Sequence, residues 1–198
     1  DIPLKRRLFV AASFIAVCVN SALAADLPVT PQPPQIQAAS WVLMDYTTGQ
    51  VLTAGNEHQQ RNPASLTKLM TGYVVDRPID SHHITPDDVV TVGPDAWAKG
   101  NPVFEGSSLM FLKPGDRIAV SELNKGIVIQ SGNDASIALA DYVAGSQDSF
   151  VGLMNNYVKA LGLQNTHFKT VHGLDSEGQY STARDMALIG QALIRDVP

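Results

Sequence analysis

Ser65 and Lys68 stand three residues apart in Pro63-Ala64-Ser65-Leu66-Thr67-Lys68. On a helix that spacing makes them neighbours on one surface. A hydroxyl is a weak nucleophile until a base takes its proton, and an amine one turn away can do so once burial or a nearby cation lowers its pKa. A helix N-terminus at the same place would favour the developing alkoxide and an anionic intermediate. Alone, S-x-x-K is a weak pattern, arising by chance on the order of once in a few hundred residues, and it equally describes an exposed Ser and Lys on a solvated face. A second group, Ser131-Gly132-Asn133, joins a hydroxyl that can relay a proton to a carboxamide that can grip a substrate amide. The plain alternative is a Gly-containing helix C-cap followed by an Asn N-cap.

Local patterns predict the elements that position these groups. Trp41–Tyr46 and Val51–Ala54 flank Thr47-Thr48-Gly49-Gln50 and read as a β-hairpin. Asn62 suits an N-cap and Pro63 a first helical position, and Leu66, Leu69, Met70, Tyr73 and Val74 recur at spacings of three and four. A helix is therefore expected from Pro63 to about Asp76, ahead of Pro78. The Pro- and Gly-punctuated stretch from Ser81 to Gly115 reads as loops and small strands. Further helices are expected over about Ser121–Gln130, from Asn133-Asp134 to before Gly145, over about Gln147–Leu161, and from near Ser181-Thr182 through Leu193. One hairpin followed mostly by helices argues a mixed α/β or α+β domain with helices packed on a sheet.

The 198 residues, 44% hydrophobic and 17% charged, exclude a disordered chain or a long coiled coil. Fourteen basic against nineteen acidic residues give a net charge of −5, and no basic run follows the first seven positions. Nucleic-acid binding thus has no electrostatic footprint. Lys5-Arg6-Arg7, the apolar Leu8–Val19 and the small residues of Ala22-Leu23-Ala24 read as a secretory signal peptide over residues 1–24. The apolar run is shorter than the ~20 residues of a membrane span. Lipid attachment at Cys18 is disfavoured by the bulk of Val17. Without that segment the chain carries a net charge of −7 and no cysteine, so neither disulfides nor thiol catalysis are available. Residues 25–40, with Pro28, Pro31, Pro33 and Pro34, read as an extended linker, leaving 41–198 as the folded part. The five histidines show no metal-ligand spacing, and His82-His83 falls in a polar loop.

S-x-x-K followed by S-x-N opens a series completed elsewhere by K-T-G. Together with Trp41–Tyr46, Pro63–Lys68, Gly106-Ser107-Ser108-Leu109-Met110-Phe111-Leu112-Lys113-Pro114-Gly115, Gln130–Asp134 and Thr170-Val171-His172-Gly173-Leu174-Asp175, these motifs resemble the low-molecular-mass penicillin-binding proteins that are serine D-alanyl-D-alanine carboxypeptidases. The resemblance spans residues 39–198 and fits the enterobacterial type. It implies a β-lactamase/transpeptidase-like sheet flanked by helices, and removal of the terminal D-Ala from peptidoglycan stem pentapeptides in the periplasm, at the outer face of the inner membrane. It also implies covalent inhibition by β-lactams, with no metal or organic cofactor. Ser65 would be the acylated nucleophile, Lys68 its base, Ser131 the hydroxyl passing a proton to the leaving amine, and Asn133 the holder of the substrate's backbone amide. The Ser65 N–H would be one oxyanion donor.

The K-T-G motif itself is absent. Lys169-Thr170 is followed by Val171, whose Cβ would obstruct the close approach that Gly permits, so a structural role is expected there. Missing with the motif are a cation for the substrate carboxylate and a second oxyanion donor. The expectation is a chain holding about the first two-thirds of the catalytic domain, without the family's later β-rich domain and membrane anchor. Two other readings are an inactive fragment or binding protein of the same fold, and a serine β-lactamase. For the latter no E-x-x-L-N-like string follows Asn133 to supply a deacylation base. His172 is expected to be a structural residue of a loop bordering the site.

Overall fold

Trp41–Met44 (β1) and Val51–Gly55 (β2) pair antiparallel, Trp41 opposite Gly55 and Met44 opposite Val51. Their turn is fixed by Asp45, whose Oδ1 accepts from the Thr48 N–H at 2.7 Å and the Thr48 hydroxyl at 2.8 Å. The hairpin lies where the alternation places it. In the computed structural model, residues 30–80 and 83–197 are described. The expected signal peptide and His82 lie outside them. Residues 30–39 are exposed and form no helix or strand.

The helix expected over Pro63–Asp76 divides into a 3-10 turn, Ala64–Leu66, and α1, Thr67–Asp80. Asn62 does not cap an α-helix. Its Oδ1 accepts from the Ala64 N–H at 3.3 Å while its amide donates to Asp175. Nor does Pro78 stop the helix. In a last turn it forfeits one backbone bond, and the Arg77 guanidinium beside it donates to the Asp196 carbonyl oxygen at 3.5 Å.

A short ladder, β3 (Val89–Thr91) with β4 (Arg117–Ala119), leads into α2 (Val120–Gln130). Next come α3 (Asn133–Ala144), α4 (Gln147–Ala160) and α5 (Ala183–Asp196). The class is the mixed one expected, with the described strands in two two-stranded antiparallel sheets. Helix α1 packs against all four later helices. Every residue of α3 from Asn133 to Ala140 is buried, which makes it a core helix rather than a surface one. Met70, Leu123, Ile137, Leu139, Phe150, Met154 and Ile189 meet in that core and fix the relation between α1, α2 and α3.

Candidate active site

Three chain segments converge on one amine. Lys68, in the first turn of α1, is 7% exposed. Its Nζ lies 2.8 Å from Asn133 Oδ1, 2.7 Å from the His172 carbonyl oxygen and 3.4 Å from Ser65 Oγ. Burial lowers its pKa from 10.5 to about 8. The two short contacts are to carbonyl oxygens, which only accept. They fix two N–H groups of the amine and aim its remaining position at the Ser65 hydroxyl.

Ser65 itself sits in the 3-10 turn rather than in the α-helix. The turn is reached through Ala64 at φ +49°, a left-handed conformation costing a non-glycine residue roughly 1–2 kcal/mol. A second loop holds it there. Gly173, at φ +93°, passes so close that a Cβ on it would lie 1.9 Å from the Ala64 carbonyl oxygen. Only glycine fits. The Thr71 hydroxyl donates to the Val171 carbonyl at 2.6 Å, and Asn62 donates to Asp175, so the 171–175 loop is fastened on both sides of the nucleophile.

Ser131 ends α2 in the left-handed conformation, φ 56°, and the Gly132 N–H returns to the Gly126 carbonyl at 3.0 Å. Its buried hydroxyl has no hydrogen-bond partner among the described residues. With Ser65 and Lys68 it lines a cavity of about 280 Å³ whose other walls include Leu69, Gly72 and Val128. Asn133 opens α3, 3% exposed, and its N–H donates to the Ser108 carbonyl at 2.9 Å. All four residues singled out from the sequence therefore meet at one place.

His172 does more than border the site, because its carbonyl holds Lys68. Its ring is kept neutral: burial first, then the Lys68 charge, lower its pKa from 6.5 to about 4. Asp134, fully buried, accepts from the N–H groups of Met110 at 2.8 Å, Leu112 at 2.9 Å and Ala135 at 2.9 Å, anchoring the 108–112 loop beside Asn133. Sequence reasoning missed Ala64, Gly173, Asp134 and the His172 carbonyl. A glycine inside His172-Gly173-Leu174 was the one signal of close approach, and it names no partner. Lys169-Thr170-Val171 forms no strand. The N–H groups of Lys169 and Thr170 bond to Gln179 Oε1 at 3.1 and 3.0 Å, and Val171 is buried. Among the described residues no group of three or more His, Cys, Asp or Glu is placed to hold a metal ion.

A buried lysine facing a serine, with a second serine and a carboxamide from the α2–α3 junction, is set in a fold of the transpeptidase kind. Residues 28–198 match the D-alanyl-D-alanine carboxypeptidase family, peptidase S11, and the chain belongs to it. It is 68% identical over 196 residues to D-alanyl-D-alanine carboxypeptidase DacD of Salmonella typhimurium, covering 98% of this chain and 50% of that protein. With DacA of Escherichia coli it shares 58% over 198 residues, covering 98% of this chain and 49% of that protein. The crystal structure of penicillin binding protein 6B from Escherichia coli superposes with a TM-score of 0.80 at 69% identity, over 86% of this chain and 54% of that one. The chain thus spans about half the length of the curated relatives it matches.

Proposed function

We propose that this protein is a serine D-alanyl-D-alanine carboxypeptidase that removes the terminal D-Ala from peptidoglycan stem pentapeptides. The observation that carries the reading is the Lys68 amine, held by two carbonyl oxygens and directed at Ser65 Oγ. With a pKa near 8, about a tenth of the molecules hold Lys68 neutral at pH 7. The neutral Nζ takes the Ser65 proton as Oγ bonds to the carbonyl carbon of the penultimate D-Ala. Charge gathers on the carbonyl oxygen, where the Ser65 N–H donates to it. The proton passes by way of the Ser131 hydroxyl to the amine of the terminal D-Ala as the C–N bond breaks. Asn133 holds the substrate's backbone amide through Nδ2, its Oδ1 being engaged by Lys68. Water then attacks the ester, Lys68 again taking the proton. The shortened peptide leaves and Ser65 regains its hydroxyl.

β-Lactams would acylate the same serine, since their strained amide resembles the D-Ala-D-Ala end. Residues 1–24, read as a signal peptide, support action in the periplasm. Incubation with a fluorescent penicillin and then with a D-Ala-D-Ala pentapeptide tests the reading. Lasting label together with D-Ala release is expected. Rapid drug turnover without D-Ala release would make the protein a β-lactamase instead, and neither signal would make it a non-catalytic member of the family.

A further inference from the structure

Phe111 is one of four non-glycine residues with positive φ among the described residues, and two of the others, Ala64 and Ser131, belong to the site. A bulky aromatic at φ +63° is an outlier that needs its surroundings to hold it. Asp134 supplies that hold. Its two carboxylate oxygens accept from the residues on either side, Met110 and Leu112, so that Phe111 is pinned from both flanks by a fully buried group. The pinned ring packs into nothing: Phe111 is 76% exposed. Strain held by a buried carboxylate to present an aromatic side chain to solvent has no use in stability.

The ring forms one side of a groove of about 340 Å³, with Trp97, 42% exposed, and Leu109 also lining it. The groove's charged residues are Lys99 and Lys113, both cations on a chain of net charge −5. It lies beside the active site, because Ser108, three residues before Phe111, accepts from the Asn133 N–H. Three residues span at most ~10 Å.

We propose that this groove is an accessory substrate subsite that takes the acidic part of the stem peptide upstream of the scissile bond. Phe111 and Trp97 contact its apolar and backbone surface, and Lys99 and Lys113 pair with its free carboxylates. The inference rests on the carboxypeptidase reading for the identity of the peptide. Asp134 acts here as a positioning residue, holding both Phe111 and, through the same loop, the Ser108 carbonyl on Asn133.

Calorimetric titration of the full chain with an acidic stem peptide lacking D-Ala-D-Ala, and with a blocked neutral peptide of the same length, tests the subsite without relying on turnover. Tighter binding of the acidic peptide is expected. Phe111→Ala should raise its Kd about five- to tenfold. Lys99→Ala combined with Lys113→Ala should raise it comparably and flatten its salt dependence. Both variants replace exposed residues, so thermal unfolding should stay where it is in the unaltered chain. Equal binding of the two peptides, no binding of either, or an acidic-peptide Kd unmoved in both variants overturns the proposal. Preferential binding of the acidic peptide by a chain that releases no D-Ala from the separate D-Ala-D-Ala pentapeptide would sink only the carboxypeptidase reading. D-Ala release without the groove's preference would sink only the subsite.

Discussion

Each serine of the site depends on one left-handed, non-glycine backbone position, and the two positions are held in different ways. Ser131 is itself left-handed, and the bonds that keep it so come from the end of its own helix, with Gly132 returning to Gly126. The Ser65 turn depends on Ala64, whose left-handed conformation is wedged by Gly173 from a distant part of the chain. One half of the site is built locally, the other by tertiary contact. Lys68 joins them, bonding to Asn133 on the local side and to His172, 104 residues away in sequence, on the other.

The largest effect should come from removing that junction. Lys68→Met takes away the base, and acylation by penicillin should slow by about 10²–10⁴-fold. Stopped-flow labelling measures it, and a loss below tenfold would assign the base elsewhere. Gly173→Ala breaks only the tertiary half. Its Cβ cannot coexist with the Ala64 carbonyl, so a destabilisation of roughly 2–4 kcal/mol is expected in urea unfolding, together with slowed labelling.

A milder test leaves the chain unaltered. Because burial lowers the Lys68 pKa to about 8, the neutral base is gained as pH rises, and the acylation rate should climb about tenfold from pH 7 to pH 9. A flat profile would mean that Lys68 does not act as the base. The smallest change should follow Ser131→Gly, because the left-handed turn suits glycine. Stability should stay within about 1 kcal/mol of the unaltered chain, while D-Ala release falls with the missing hydroxyl. A loss of stability as large as that of Gly173→Ala would erase the distinction between the halves.

The same distinction decides what could be read from the sequence. The hairpin lies where its turn residues place it, and α2 gives way to α3 at Ser131-Gly132 as expected. Ser131 rather than Gly132 is nevertheless the C-cap and Gly132 rather than Asn133 the N-cap, the Asn133 side chain being turned to Lys68 instead. The S-x-x-K spacing likewise put Lys68 beside Ser65. The 3-10 turn at Ala64–Leu66 was not legible, because nothing near Ala64 announces a positive φ that Gly173 imposes. Helix α1 outruns Pro78, and Arg77 in that last turn meets Asp196 of α5, again a distant partner. Strand β4 is three residues long and, among the described residues, pairs with β3 alone, too short for alternation to register. The Asp134 clamp looked like ordinary capping chemistry, and its bonds to Met110 and Leu112 exist only in the folded chain.

The most direct test of the account is to treat the chain with benzylpenicillin, digest it and locate the adduct by mass spectrometry. One drug-sized addition on the peptide containing Ser65 is expected, absent from Ser65→Ala and formed faster at pH 9 than at pH 7. An adduct on Ser131 or any other residue, or one that persists in Ser65→Ala, would contradict it.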